Sequence, residues 1–584
     1  MGLMHPALLF VVGAALAAVL RGRPRQVVLV AVPLVAFLSV NAMVPGTYGT
    51  LEYLGFRLVP AHVDKLALVF LNVFTLMALI GAIYGLHVED TGQHVSAMLY
   101  VAGSLGVTLA GDYLTLFVWW ELMAFASAFL VFLRRRQASV RAGFRYLLVH
   151  TVGGLVLMAG IFLKWMKTGD LSFGPIPADT ADLAAYLILI GFALNAAVPP
   201  IHAWLPDAYP EATVMGAVFM CAFTTKTAVY VLARAFSGYE VLAVAGAIMT
   251  IYGVLYAIIE NDGRRILAYH IVSQVGYMVC GIGIGTALAV NGAVAHAYAH
   301  ILYKALLFMG VGAVLEMAGT SKLSELGGLY RRMPLAMVAT VIGGISISGF
   351  PLTSGFISKS MVIAGAGADH RTVLMLMLSL AAVGTFLSVG VKLPYFIWFG
   401  KDSGRECKDP PKNMLVAMGI AAFFCFFLGV YPDYLYRMLP FPVEYHPYNA
   451  YHLSETLQLL GFTGLAFYLL RKKLTPEAKL NLDLDWFYRR ATAWFLRIDR
   501  RWFEPANEWV SEIYRRVGYR FALGAAALWS RFDVKAIDGV VDGSAYGVLG
   551  LGDRVRRAQT GRLQQYIAMA VAALFFLIAL VVNL

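Results

Sequence analysis

Charge is scarce in this chain: 14% of its 584 residues are Asp, Glu, Lys or Arg, against about a quarter in an average soluble domain. A soluble protein of this length divides into domains with polar surfaces, and no such region occurs before about residue 472. Cysteine is scarcer still. Cys221, Cys280, Cys407 and Cys425 show neither CxxC nor CxxCH spacing, which leaves a disulfide framework, a metal cluster and haem attachment unsupported. Three of the four read as small buried hydrophobes. No haem, flavin or iron–sulfur ligand set stands out, so the expectation is no cofactor, no metal and no catalytic site of its own. A basic n-region is missing before Pro6–Leu20, so this stretch reads as a first membrane helix and not as a signal peptide.

What the chain has in abundance is apolar length. Sixty per cent of its residues are apolar, in runs of about 20 that match the roughly 30 Å hydrocarbon core of a bilayer. We read an all-α polytopic membrane protein of about 16 transmembrane helices. The net charge of +12 reflects topology and not nucleic-acid binding. Basic residues gather at Arg21, Arg23 and Arg25, at Arg134, Arg135, Arg136 and Arg141, at Arg264 and Arg265, at Lys322, Arg331 and Arg332, and at Lys401, Arg405, Lys408 and Lys412. These are alternate connections if the N-terminus lies outside, as the positive-inside rule requires. Connections 46–62, 168–180 and 432–452 are poor in Lys and Arg.

Two spans are interrupted. The seventh contains Val198-Pro199-Pro200 and the twelfth Gly349-Phe350-Pro351-Leu352-Thr353-Ser354-Gly355. Proline removes a backbone donor and clashes with the preceding turn. Backbone freed at membrane depth survives only within protein or beside a water-filled cavity, and matched broken helices in two halves point to a transport site. The breaks lie five spans apart, and an odd number reverses orientation, so the two five-helix repeats are expected to be inverted. The expected organisation is spans one to three in 1–94, a first repeat in 95–236, a second in 240–399, spans 14 and 15 in 413–471, an amphipathic segment in 472–564 and a final span in 565–584. Within 472–564, Asp483, Asp485, Arg489, Arg490 and Arg497 alternate with Trp486, Phe487, Tyr488 and Trp494. That pattern suits a helix lying on a membrane surface or on partner subunits.

An ionisable residue inside a span is costly and therefore a functional candidate. Glu121, Lys226, Lys304, Lys359 and Lys392 qualify, with His296 and His300. His296, His300 and Lys304 recur every four residues, along one helical face. Lysine and histidine both take up and release protons, so an aligned row of them can pass a proton on. Glu121 needs a cation or a proton to be held in an apolar span. Lys359 and Lys392 stand near span ends, where snorkelling to the interface competes with a buried role. His150 stands alone and reads as structural.

The motifs resemble those of the antiporter-like membrane subunits shared by respiratory complex I, Mrp-type cation/proton antiporters and membrane-bound hydrogenases. The resemblance rests on Trp120-Glu121-Leu122-Met123, Ile201-His202-Ala203-Trp204-Leu205-Pro206-Asp207-Ala208, and Arg265-Ile266-Leu267-Ala268-Tyr269 with Ser273-Gln274-Val275-Gly276-Tyr277. It rests equally on His300-Ile301-Leu302-Tyr303-Lys304-Ala305-Leu306-Leu307-Phe308 and Gly355-Phe356-Ile357-Ser358-Lys359. It implies a 14-helix core of two inverted repeats and a polar axis through Glu121, Lys226, His296, His300, Lys304 and Lys359. One position departs: where the family has a lysine before the first break, this chain has Asn195. Asparagine cannot hold or release a proton. Then Lys226 substitutes as partner of Glu121, or Glu121 rests protonated, or the first half-channel does not work in the usual way. Lys401-Asp402-Ser403-Gly404 resembles the D component of Mrp antiporters, whereas Ile537-Asp538-Gly539 and Arg557-Ala558-Gln559-Thr560-Gly561-Arg562 resemble the L component of complex I.

The resemblance implies a proton-translocating subunit, with Na⁺ as the alternative ion, among other membrane subunits in a bacterial or archaeal cytoplasmic membrane. In an oxidoreductase complex the redox chemistry would belong to those partners. The alternatives are a non-conducting scaffold and the membrane subunit of an inorganic-carbon uptake complex.

Overall fold

The computed structural model describes residues 5–478 and 481–583; residues 1–4, 479, 480 and 584, which fall in the first, fifth and last of the expected regions, lie outside it. The described chain forms two units, Met1–Leu484 and Asp485–Leu584.

In the first unit, α1 (Pro6–Val19), α2 (Gly22–Asn41) and α3 (Lys65–Tyr84) come first. A series of five spans follows: α4 (Thr91–Leu109), α5 (Tyr113–Phe132), α6 (Gln137–Thr168), the pair α7 (Leu183–Asn195) and α8 (Trp204–Ala208), and the pair α9 (Val214–Met220) and α10 (Thr224–Ala235). Five more follow: α11 (Glu240–Ile259), α12 (Gly263–Ile284), α13 (Ala287–Ala318), the pair α14 (Pro334–Ser348) and α15 (Ser354–Ala368), and α16 (Thr372–Thr385), which runs on as a π-helix over Phe386–Lys392. The unit closes with α17 (Lys412–Val430), the short α18 (Asp433–Tyr436) and α19 (Ala450–Leu470). Among the described residues 12 helices are long and apolar enough to cross a membrane. The other spans read from the sequence correspond to α1, α4 and the pairs α7–α8 and α14–α15.

Helix starts are set by aspartates. Asp64, Asp112, Asp182 and Asp262 each accept a backbone N–H of the first turn of α3, α5, α7 and α12, satisfying donors that a helix start leaves without partners. The loops sort into two faces through their own hydrogen bonds. On one face Gly111 N–H donates to Val59, Phe173 to Gly111, Ile176 to Ala235 and Gly238 to Ile282. On the other, which carries the Arg134 and Arg332 clusters, Gly263 N–H donates to Ser321, Leu323 to Asn261 and Ser403 to Gly327. We call the second the basic face.

Residues 46–63, read from the sequence only as a connection poor in basic residues, form β1 (Gly46–Tyr48), β2 (Leu51–Tyr53), β3 (Phe56–Leu58) and β4 (Ala61–Val63). β1 pairs antiparallel with β4 and β2 with β3. The inner turn places both Leu54 and Gly55 at positive φ, the geometry of a two-residue hairpin turn.

Close packing of α11 on α12 follows from glycine. A Cβ at Gly246 or Gly253 would meet the backbone of Cys280 or Ser273, and one at Gly276 or Gly283 the backbone of Gly246 or Ala243. Small residues at seven-residue spacing let membrane helices approach in this way.

The second unit is helical from Asp485 to Ala558, with π-helical stretches at Asp499–Phe503, Tyr514–Tyr519 and Asp533–Asp538, and ends in the apolar helix Leu563–Val582.

Candidate functional site

The α7–α8 interruption spans Ala196 to Ala203 and includes a cis Pro199–Pro200 bond and Ala197 at positive φ. The α14–α15 interruption holds Gly349 and Leu352 at positive φ. A third interruption, between Met220 and Thr224, contains neither proline nor glycine and was not foreseen from the sequence.

Each broken or ending helix leaves carbonyls without intrahelical partners, and buried lysines take several of them. Lys226 Nζ donates to Cys221 O at 2.7 Å and to Thr225 Oγ1 at 3.0 Å. Lys359 Nζ donates to Ile347 O at 2.7 Å. Lys392 Nζ donates to Ile258 O at 2.6 Å and Glu260 O at 2.9 Å, at the end of α11. An ammonium at a helix C-terminus also meets the negative end of the helix dipole. These three lysines are buried and point at backbone rather than reaching for an interface.

Lys304 differs. It stands in mid-α13, fully buried, and its Nζ has no hydrogen-bond partner among the described residues. One turn back, both ring nitrogens of His300 are buried and equally without partners. One turn further back, His296 Nδ1 lies 3.1 Å from Ser358 Oγ and its Nε2 3.4 Å from the Tyr303 hydroxyl. The His296 and His300 rings are 6.2 Å apart, centre to centre. Helix α13 thus sets its row against Ser358, the chain neighbour of Lys359 on α15. Toward the face opposite the basic one, Lys359 borders a cavity of about 50 Å³ shared with Ser360, His452 and Glu455, larger than one water molecule needs.

Glu121 stands apart from this row. Its Oε1 presses on Gly154, where a Cβ would collide with it, and it has no hydrogen-bond or ion-pair partner among the described residues. Lys226 does not reach it. Asn195 ends α7, buried, and its Nδ2 has no hydrogen-bond partner among the described residues. His150 stacks on Tyr146 at 4.0 Å and meets the edge of Trp204 at 4.6 Å.

Arg264, counted from the sequence among loop charges, is instead buried in the first turn of α12. Its guanidinium donates to the carbonyls of Tyr209, Ala212 and Thr213, in the irregular backbone after α8. The sequence reading gives no role to His270, Thr385 and Ser388, and names Gln274 only within a motif; all four are fully buried between α12 and α16 with its π continuation. The signal was present as spacing: His270, Gln274 and Tyr277 share one face of α12.

Residues 110–386 match the family described as NADH:quinone oxidoreductase/Mrp antiporter, transmembrane region. The chain is 31% identical to the D component of the Na(+)/H(+) antiporter of Alkalihalophilus pseudofirmus over 326 residues, which is 52% of this chain and 65% of that protein. The match thus spans just under two thirds of that relative. Among solved structures, a chain of the Mrp complex from Dietzia sp. DQ12-45-1b superposes with a TM-score of 0.68 at 23% identity, covering 80% of this chain and 97% of that one. A chain of the membrane-bound sulfane sulfur reductase, an archaeal respiratory membrane complex, gives 0.69 at 23% identity over 98% of this chain and 99% of its own.

Proposed function

From the premise that the chain belongs to the NADH:quinone oxidoreductase/Mrp antiporter transmembrane family, we propose that it is a proton-translocating subunit of a larger membrane complex. The protons travel between Lys226, Lys304, His300, His296 and Lys359 and leave by the cavity at His452 and Glu455. Lys392 lies off this row, at the end of α11. The observation that carries the proposal is the pair Lys304 and His300, fully buried and with no partner among the described residues. A polar group of purely structural use is hydrogen-bonded when buried, because leaving it unpaired costs about 1–3 kcal/mol. A nitrogen left open in this way is accessible to proton exchange.

The ion follows from ligand chemistry. A hard cation such as Na⁺ is held by carboxylate and carbonyl oxygens, whereas lysine and histidine nitrogens carry protons. Sodium exchange, named for the Alkalihalophilus relative, belongs on this reading to the complex as a whole. The partners are other membrane subunits, as in the Mrp and sulfane sulfur reductase complexes, and any redox chemistry is theirs. The membrane is the cytoplasmic membrane of a bacterium or archaeon, with the basic face inside.

A second reading, a non-conducting scaffold, draws on Glu121 without a cation and Asn195 in place of lysine. Proton uptake into everted vesicles carrying the assembled complex decides between them. Lys304→Ala is expected to lower uptake at least about tenfold, the usual scale for losing a proton-transfer group. Wild-type uptake in that variant would leave the scaffold reading standing.

A further inference from the structure

Between α12 and the α16 helix with its π continuation lies a second line of buried polar side chains that the row on α13 does not need. The Tyr303 hydroxyl donates to Gln274 Oε1 at 3.5 Å, and Gln274 Nε2 donates to Thr385 Oγ1 at 3.3 Å. One turn along, His270 Nε2 lies 2.6 Å from Ser388 Oγ. One further turn brings Lys392, whose Nζ rests on Ile258 O and Glu260 O. At that end Glu260 faces Arg265 at 3.5 Å, and Asn481 Nδ2 donates to its Oε2 at 3.4 Å. The line begins beside His296, through the Tyr303 hydroxyl, and ends at the loop 260–262 on the basic face.

Packing alone does not ask for this. Gln274, His270, Thr385 and Ser388 are all fully buried, and apolar residues of similar volume would join two helices without the desolvation cost of four polar groups. His270 Nδ1 has no partner among the described residues, so the ring has one nitrogen held and one open. Ser388 and Lys392 sit on a π-helical stretch, a departure from α geometry that occurs mostly where a helix has a function to perform.

We propose that the second repeat has its own proton branch to the basic face, running from Lys392 through Ser388 and His270 to Gln274, Tyr303 and the α13 row. His270 takes a proton at one ring nitrogen and releases one from the other, returning to a neutral tautomer. Gln274, which cannot hold a proton, orients the Tyr303 hydroxyl. With the non-titrating Asn195 at the break in the first half, this branch supplies the row from the basic face. The inference rests on the reading of the chain as a proton translocator.

The test compares His270→Gln with Lys304→Ala in vesicles carrying the whole complex, measured in H2O and D2O. Glutamine keeps a hydrogen bond to Ser388 but carries no proton. The expected result is an uptake lowered at least about tenfold, with a raised H2O/D2O rate ratio. Uptake at the wild-type rate overturns the branch, and so does slow uptake with an unchanged ratio, which marks a packing defect. If His270→Gln fails to assemble, Ser388→Ala takes its place, with an expected loss of about fivefold, the worth of one hydrogen bond, and the same two readings of the ratio. Lys304→Ala at the wild-type rate sinks the translocator reading itself, whereas loss there with normal uptake in the His270 or Ser388 variant sinks only the branch.

Discussion

The carboxylate of Glu121 has Gly154 against one oxygen and no cation in ion-pair range among the described residues. Its chain neighbour Trp120 packs on Phe192 of α7 at 5.2 Å, and Asn195 follows one turn later on that helix. By the resemblance drawn from the sequence, a lysine at 195 is the expected partner of this glutamate. Asn195→Lys is therefore expected to pair with Glu121. A double-mutant cycle of Asn195→Lys with Glu121→Gln, read from thermal stability, should give a coupling of about 1–2 kcal/mol. Zero coupling would mean that residue 195 does not face Glu121. The ionisable residues of this site were legible in the sequence because a charge in an apolar run stands out by its cost. Their partners were not. Lys226 binds the carbonyl of Cys221, set free by a break at Cys221-Ala222-Phe223 that no helix-breaking residue announces. His270 escaped notice because a lone histidine in a span reads as packing until Ser388, more than a hundred residues on, is brought to it.

Among the elements, the contact of α11 with α12 sets how closely the start of the second repeat packs, and it rests on glycine. At Gly253 a Cβ would meet Ser273 N and Tyr269 O, backbone atoms that cannot swing aside. The same place carries the Ser273 hydroxyl donating to Thr250 O at 2.9 Å, a bond between the two helices. Gly253→Ala should destabilise the protein by about 1–3 kcal/mol, the usual cost of overpacking. Gly461 on α19 meets nothing within 4 Å, so Gly461→Ala should stabilise slightly, by at most about 1 kcal/mol through helix propensity. Thermal unfolding in detergent measures both, and equal signs would refute the close-approach argument. At this scale the sequence was readable where periodicity and proline speak, as at Pro199, Pro200 and Pro351. The strands of 46–63 and the π-helical stretch of 386–392 were not readable. Three-residue strands have too few residues for an alternation to show, and a π turn differs from an α turn by hydrogen-bond register alone.

Over the first unit as a whole, the chain after α19 returns to the transmembrane helices before the second unit begins. Tyr256 donates its hydroxyl to Leu482 O at 3.1 Å, Asn481 reaches Ile259 O at 3.3 Å, and Asp483 enters between α11, α12 and the α7–α8 break. The Asp483 carboxylate accepts from the hydroxyls of Tyr252 and Tyr269, the latter at 2.7 Å, and lies 3.4 Å from His202 Nε2. Burial works against its charge, but His202 and the two hydroxyls outweigh burial and hold the carboxyl down at about 2. An unfolded aspartate titrates near 3.9. A carboxyl depressed on folding adds stability that is complete above the unfolded value and is lost as pH falls toward the folded one. The anchor should therefore be in force at neutral pH and fade between about pH 4 and pH 2. Asp483→Asn keeps an acceptor for the tyrosines but removes the charge that His202 meets. Its melting temperature should lie below wild type at pH 7, and the gap should close through that acid window. A gap that stays constant down to pH 2 would show that Asp483 holds the connection by shape and hydrogen bonding alone, with no contribution from its charge.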